Sequence, residues 1–181
     1  MSAYIHPTVV VDEGAEVGEG TKIWHFSHIC AGARIGRNCS FGQNVYVAPG
    51  VIIGDNVRVQ NGVSLYTGLV IEDYAFIGPH AVFTNDRYPR SVGPWKAEGT
   101  HVRCGASVGA NATVLCGTTL GEFSMVGCGS VVLLDVPPLT LMVGNPARKS
   151  RRFTASELAE KFAGIPSMLD RVEQLSRVYT P

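Results

Sequence analysis

Residues 28–65, HICAGARIGRNCSFGQNVYVAPGVIIGDNVRVQNGVSL, keep a strict count of six. Ile29, Ile35, Phe41, Val47, Ile53, Val59 and Leu65 follow one another at that spacing, and every one is apolar. Counting backwards reaches Ile23, Val17, Val11 and Ile5; counting forwards reaches Ile71, Ile77 and Phe83. After a break the count resumes at Val102 and runs through Val108, Val114, Leu120, Val126 and Val132 without a miss. Two residues ahead of each apolar position stands a small or β-branched residue, such as Thr21, Ser27, Ala33, Cys39 and Ala112, with Leu69 the largest exception. Glycine often follows, as in Ile35-Gly36, Ile53-Gly54 and Ile77-Gly78.

An α-helix repeats at 3.6 residues and a half-buried strand at two, so a period of six belongs to neither. It suits a parallel β-helix in which each hexapeptide is one short strand plus a turn, and three hexapeptides close a triangular coil. The large apolar residue points into the prism, its small partner fits the corner, and glycine permits the turn. The spacing predicts about seven coils stacked ~4.8 Å apart, a prism on the order of 30 Å tall. The expected class is an all-β solenoid with one protruding loop and a short C-terminal helical segment.

The break is FTNDRYPRSVGPWKAEGTH, residues 83–101. A repeat fold accepts such an insertion as a loop thrown out from one corner, often on its binding side. This one gathers Asn85, Asp86, Arg87, Arg90, Trp95 and His101, a set suited to a substrate pocket. After Val132 the DVPP segment is expected to end the ladder, because proline donates no hydrogen bond. From Thr154 apolar residues recur at helical spacing, with Thr154 or Ser156 as cap and Gly164-Ile165-Pro166 dividing two helices. Residues 1–149 therefore read as the β-helix, 84–101 as its excursion, and 150–181 as a helical tail expected to close the open end.

Fifteen basic and fifteen acidic side chains cancel, which argues against nucleic-acid and anionic-membrane partners. The N-terminal MSAYIHPTVV lacks the basic-then-apolar order of a secretion signal, and no apolar run approaches a membrane span, so a cytoplasmic protein is expected. Five cysteines without a CxxC pair read as free, reduced thiols. Cys104, Cys116 and Cys128 are twelve apart, which puts them on different faces of a three-sided coil and unable to ring one metal; no metal is expected.

With eighteen residues per coil, residues i and i+18 stack. That forms polar columns of His25, Gln43 and Asn61, of His28, Tyr46 and Ser64, and of Phe26, Asn44, Gly62 and His80. Amides, imidazoles and a phenol suit flat hydrogen-bonding ligands and tight subunit contacts alike.

The ordered segments IHPTVVVDEGAEVGEGTKIWHFSHI, QNGVSLYTG, GPHAVFTNDRYPR, GASVGANATVLCG and VGNPARK resemble the bacterial nucleotide-sugar 3-amino N-acetyltransferases, hexapeptide-repeat acyltransferases with a left-handed β-helix. The likeness spans residues 3 to about 149, including the place of the loop. It implies transfer of acetyl from acetyl-CoA, without a metal, to the 3-amino group of a nucleotide-linked sugar. UDP-2-acetamido-3-amino-2,3-dideoxyglucuronate and dTDP-3-amino-3,6-dideoxyhexoses are the implied substrates, and surface polysaccharide synthesis, as in lipopolysaccharide O-antigen, the implied purpose. Low charge, the polar columns and a loop at one corner suit a threefold contact, so a homotrimer with sites between subunits is expected.

By position, Asn85 corresponds to the asparagine that holds the sugar amine. His80 stands where the family commonly has serine, which leaves open whether this chain carries a base. The substrate is expected at His28, Gln43, Asn44, Tyr46, Tyr66, Asp86 and Arg90. CoA is expected at the other end, with backbone N–H groups of Gly105, Ala106, Gly109 and Ala110 as oxyanion and pantetheine donors and Arg148 and Lys149 near its phosphates. Cys104 reads as structural. Two other readings stand beside this one: an acyltransferase for a 4-amino sugar nucleotide with His80 as base, and a non-catalytic trimeric scaffold.

Overall fold

The computed structural model describes residues 2–179; Met1, Thr180 and Pro181, the ends of the two expected segments, lie outside them. The chain winds into a parallel β-solenoid of three sheets with nine, seven and six strands. Most strands are two residues long, with the first side chain turned outward and the second buried, as in Lys22–Ile23, Arg34–Ile35 and Arg58–Val59. Parallel partners sit eighteen residues apart: His28 opposite Tyr46, Tyr46 opposite Ser64. The inward column, from Ile23 through Phe41, Leu65 and Ile77 to Val132, is a single continuous core. The winding is consistent with a left-handed β-helix.

The face that begins at Tyr4–Ile5 is the first, that of Val10–Val11 the second, and that of Glu16–Val17 the third. The corner after each face takes its number. Small partners fill the corners and satisfy them: Thr21 Oγ1 donates to the Gly36 carbonyl at 2.8 Å, and Ser27 Oγ to that of Gly42. The glycines behind the apolar positions act differently from expectation. Gly36 has no positive φ, yet a Cβ there would lie 2.5 Å from the Gly54 backbone. Close approach of successive coils is what excludes a side chain; the left-handed turn residue comes two positions later, at Asn38, Asn56 or His80.

Across the break Ile71 pairs with Val102, 31 residues on, whereas Ile53 pairs with Ile71 at eighteen. The second corner thus holds an insertion of 31 − 18 = 13 residues, and the next strand continues the winding undisturbed. That strand is Thr100–Val102, so His101 belongs to the third face and not to the loop. The DVPP segment does not end the ladder either. Val136 bridges Leu120, and Thr140–Val143 pairs parallel with Met125–Val126, giving about eight turns. Pro137 and Pro138 are tolerated because they occupy a corner, against Gly121, where the ladder asks for no donor. Arg148–Arg152 then folds back antiparallel, through the boundary expected at residue 149.

Two helices follow, α1 (Ala155–Lys161) and α2 (Pro166–Val178). Thr154 and Glu157 form a reciprocal capping box, and Pro166 opens α2 where its missing N–H is no loss. Leu158, Phe162, Met168 and Val172 bury their faces against Cys104, Phe123 and Leu139. These three lie along the third corner, so the helices pack on the side of the prism. The end is closed instead by Met142 and Ala147 of the hairpin, which join the main core. No helix among the described residues is long and apolar enough to cross a membrane.

Candidate active site

The expected site residues fall into two strips that flank the second face, plus outliers. Along the second-corner side runs an aromatic ladder: His28 meets Tyr46 edge-on at 5.9 Å, and Tyr46 meets Tyr66 at 6.0 Å. The Tyr46 phenol is held above its ordinary value by a hydrogen bond with Cys30, and burial adds to this. Tyr66 lies one coil below Thr84, directly beside the point where the loop leaves with Asn85 and Asp86. Asn85 is half-buried, and its carbonyl accepts from the Glu98 N–H at 2.9 Å, closing the neck of the loop.

The loop is internally braced. Asp86 Oδ1 accepts from the Tyr88 N–H at 2.9 Å and from Arg90 Nη2 at 3.3 Å, while Arg90 Nη1 donates to the Pro94 carbonyl. Arg87 closes the loop on itself through Glu98 Oε2 at 3.1 Å and pins it to the prism through the Cys116 carbonyl at 2.9 Å. Asp86 and Arg90 hold each other, so a substrate phosphate or carboxylate would have to share that guanidinium with Asp86.

The other strip follows the first corner. Gln43 and Asn44 are exposed there, with the Gln43 N–H donating to Asn61 Oδ1 at 2.9 Å. Above them stand His80, then Gly109, Ala110 and Asn111. His80 is exposed, with φ of 55°, and its imidazole lies over Gly62, which has no Cβ to obstruct it. Among the described residues no side-chain hydrogen bond orients the His80 ring, unlike the carboxylate-held imidazole of a general base. His80 and Asn85 sit at opposite ends of the strand Val82–Phe83, on different corners, and do not meet within one chain.

Two expectations fail on geometry. Gly105 and Ala106 are buried at the third corner, where Phe162 of α2's neighbour α1 region covers Gly105, so neither can touch CoA. The N–H groups of Gly105, Ala106 and Gly109 already donate to Asp73, Arg103 and Val126 carbonyls, which leaves none of them for an oxyanion. The ladder uses backbone donors that glycine content alone made look available. Arg148 and Lys149 are exposed on the terminal hairpin. Cys104 is buried and its thiol pushed up to about 11 by desolvation, which suits a packing role and not a nucleophile.

One cluster escaped the sequence reading. His28 Nε2 lies 3.0 Å from Asp12 Oδ1 and 3.8 Å from Cys30 Sγ. Asp12 and Cys30 are eighteen apart, so the stacking rule contained this meeting, but only if a strand residue leans towards the corner.

The model of the bacterial transferase hexapeptide (six repeats) matches residues 14–49 and 50–85, and that of the hexapeptide repeat of succinyl-transferase matches 32–67 and 105–133. The dTDP-3-amino-3,6-dideoxy-alpha-D-galactopyranose 3-N-acetyltransferase of Aneurinibacillus thermoaerophilus is 45% identical over 153 residues, covering 81% of this chain and 77% of that protein. Among solved structures, PerB from Caulobacter crescentus, in complex with CoA and GDP-perosamine, is similar at a TM-score of 0.51 and 24% identity. The match covers 83% of this chain but only 58% of PerB. A mutant of AntD, an N-acyltransferase from Bacillus cereus in complex with dTDP and coenzyme A, is similar at a TM-score of 0.55 and 17% identity, over 92% and 91% of the two chains. These two likenesses speak for the fold. The first relative speaks for more: at that identity over that share of its length, the chain belongs to the hexapeptide-repeat transferases, in their branch of nucleotide-sugar N-acetyltransferases.

Proposed function

We propose that the protein transfers the acetyl group of acetyl-CoA to the 3-amino group of a nucleotide-linked dideoxy sugar. The observation that carries this is the 45% identity over 153 residues with a dTDP-3-amino-sugar 3-N-acetyltransferase. UDP-2-acetamido-3-amino-2,3-dideoxyglucuronate is the other substrate that fits the reading. The step is direct: the neutral amine attacks the thioester carbon, the C–N bond forms, the C–S bond breaks, and CoA leaves as thiolate. That thiolate takes the surplus proton of the amine. An amine flanked by electron-withdrawing ring oxygens resembles an α-amino group, at roughly 7.7–8.0, so about a third is neutral at pH 7.5. Holding it against the thioester then supplies most of the acceleration.

In this reading Asn85 positions the amine, the ladder His28–Tyr46–Tyr66 with Gln43, Asn44, Asp86 and Arg90 receives the sugar nucleotide, and Gly109, Ala110, Arg148 and Lys149 receive CoA. The protein works as a cytoplasmic homotrimer in surface polysaccharide synthesis. The separation of His80 from Asn85 supports the trimer: packing one chain's first corner against its neighbour's second corner would unite them. Incubation with acetyl-CoA and each 3-amino sugar nucleotide should release thiol and add one acetyl group to the sugar. Asn85→Ala should lower kcat/KM about 10²-fold, or about 2.7 kcal/mol of transition-state stabilisation. Turnover of a 4-amino sugar nucleotide alone would move the protein to the histidine-dependent reading. Lack of any thermal shift with CoA, UDP or dTDP would favour the scaffold.

A further inference from the structure

We infer that Asp12, His28 and Cys30 form a binding site for a divalent transition-metal cation of the zinc class, on the outside of the first two turns. Asp12 stands at the second corner of the first turn, Cys30 occupies the same corner one coil above, and His28 reaches them from the strand between. Their three ligand atoms all lie within 4.8 Å of one another.

The direction of approach separates this from a catalytic arrangement. In a carboxylate–imidazole–thiol relay the ring uses both nitrogens, one towards the orienting acid and one towards the nucleophile. Here the Asp12 oxygen at 3.0 Å and the Cys30 sulfur at 3.8 Å both face Nε2. That leaves the other ring nitrogen without an orienting acid, whereas three ligand atoms within 4.8 Å of one another suit a cation. The spacing also fits. With metal–nitrogen and metal–oxygen lengths near 2.0 Å and metal–sulfur near 2.3 Å, tetrahedral angles put N and O about 3.3 Å apart and N and S about 3.5 Å apart. Shifts of a few tenths of an ångström meet both.

The donors choose the ion. One thiolate, one imidazole and one carboxylate suit zinc and its first-row neighbours, and exclude the oxygen-only preferences of magnesium and calcium. The carboxylate is pre-set: its second oxygen, Oδ2, accepts from the Ala31 N–H at 3.3 Å, an outer-shell contact that fixes its orientation. Cys30 is only 6% exposed, while the side chains of Asp12 and His28 are 38% and 43% exposed. The ion therefore has an entry path, and a fourth position open to solvent. A cation here ties the first turn to the second at the least buried end of the prism, where Ile5 is 39% exposed. The acetyl-transfer step itself uses no metal, and the site shares His28 with the surface proposed to receive the sugar nucleotide.

The test uses the full chain, treated with chelator, kept reduced by a phosphine, and titrated with Co²⁺ in the absence of substrates. We expect sulfur-to-cobalt charge-transfer absorbance saturating at one equivalent and displaced by Zn²⁺, with a rise in Tm on Zn²⁺ addition. Cys30→Ser should abolish the charge-transfer band. Asp12→Asn and His28→Gln should each weaken Co²⁺ binding at least tenfold. Cys128→Ser, an exposed thiol on another corner, should change nothing. Circular dichroism of the metal-free variants checks folding, and if Cys30→Ser does not fold, His28→Gln carries the test. Absence of the band at one equivalent, its survival in Cys30→Ser, unweakened Co²⁺ binding in His28→Gln, or loss of the band in Cys128→Ser overturns the site. Because no sugar or CoA is involved, this outcome is independent of the acetyltransferase reading.

Discussion

Gly62→Ala is the perturbation that tests the placement of His80 most directly. Gly62 has φ of +68°, and the three nearest atoms to an added Cβ all belong to His80, with Nδ1 at 2.4 Å and Cε1 at 2.5 Å. Two costs follow. An alanine in the left-handed region costs about 1–2 kcal/mol. The contact with the ring cannot persist, so the imidazole must also leave its position. In a domain of this size each kcal/mol moves Tm by about 2–4 °C, so a fall of several degrees is expected. In a His80→Ala background the backbone part of the penalty remains and the steric part disappears. The two backgrounds should therefore differ by at least ~0.5 kcal/mol, measured as a double-mutant cycle by denaturant unfolding.

The same set of variants reads the chemistry. If the substrate amine supplies its own neutral form, His80→Ala and Gly62→Ala should each lower kcat/KM less than tenfold. Its pH profile should rise through a single ionisation, unchanged between variants. A histidine base would instead cost 10²–10⁴-fold in both, with one ionisation on the acidic limb lost in His80→Ala. We expect the first result, because among the described residues no carboxylate orients the ring. Equal stability costs for Gly62→Ala in both backgrounds would refute the ring's position over Gly62. Large parallel losses of activity in folded, CoA-binding variants would refute the base-free reading.

Other outcomes follow from contacts elsewhere. Arg87→Ala removes one hydrogen bond that braces the loop internally and one that pins it to the prism, worth about 1–2 kcal/mol together; limited proteolysis should then cut within residues 86–98 before anywhere in the prism. The Glu122 carboxyl is held below its ordinary value chiefly by its hydrogen bonds from Arg171 of α2. A depressed carboxyl stabilises fully above its unfolded value near 4.3 and loses that contribution as pH falls through the folded value. Hydrogen exchange should accordingly show α2 loosening below pH ~4 while the ladder stays protected, and Arg171→Ala should loosen α2 already at pH 7. With iodoacetamide at pH 8, exposed Cys128 should alkylate first, and Cys104, buried with its thiol near 11, only on unfolding, as read by mass spectrometry of digests.

The repeat was legible because every coil obeys one local rule. Each hexapeptide buries one large side chain and turns on one small one, so Ile23 and Val132 could be assigned inward by the same count. The eighteen-residue register followed, and with it the columns His28–Tyr46–Ser64 and Asn44–Gly62–His80. What the count could not carry was anything set by packing between unlike parts. Nothing in the count singles out Phe123 or Leu139; that α1 and α2 bury them on the side of the prism depends on a second core with no period of its own. The prolines after Val136 misled for a related reason, since a rule about ladder donors applies to faces and these fall at a corner.

Hydrogen-bond supply explains the remaining difference. A glycine-rich stretch such as Gly105 to Gly109 looks from sequence like an array of free backbone donors. In a solenoid most of these donors are already taken, by the coil beside them, as Gly109 is by Val126, or within the corner, as Ala106 is by Arg103. Only side chains project beyond that closed network, and only at corners and in the insertion does backbone escape it. Chemistry on this fold therefore has to be assembled from outward side chains that stack or lean across coils. His28 shows how far that goes: its column predicted the contact with Tyr46, while its contacts with Asp12 and Cys30 depend on the ring leaning sideways to a corner. Stacking arithmetic fixes which residues are level with one another; the rotamer decides which of them touch.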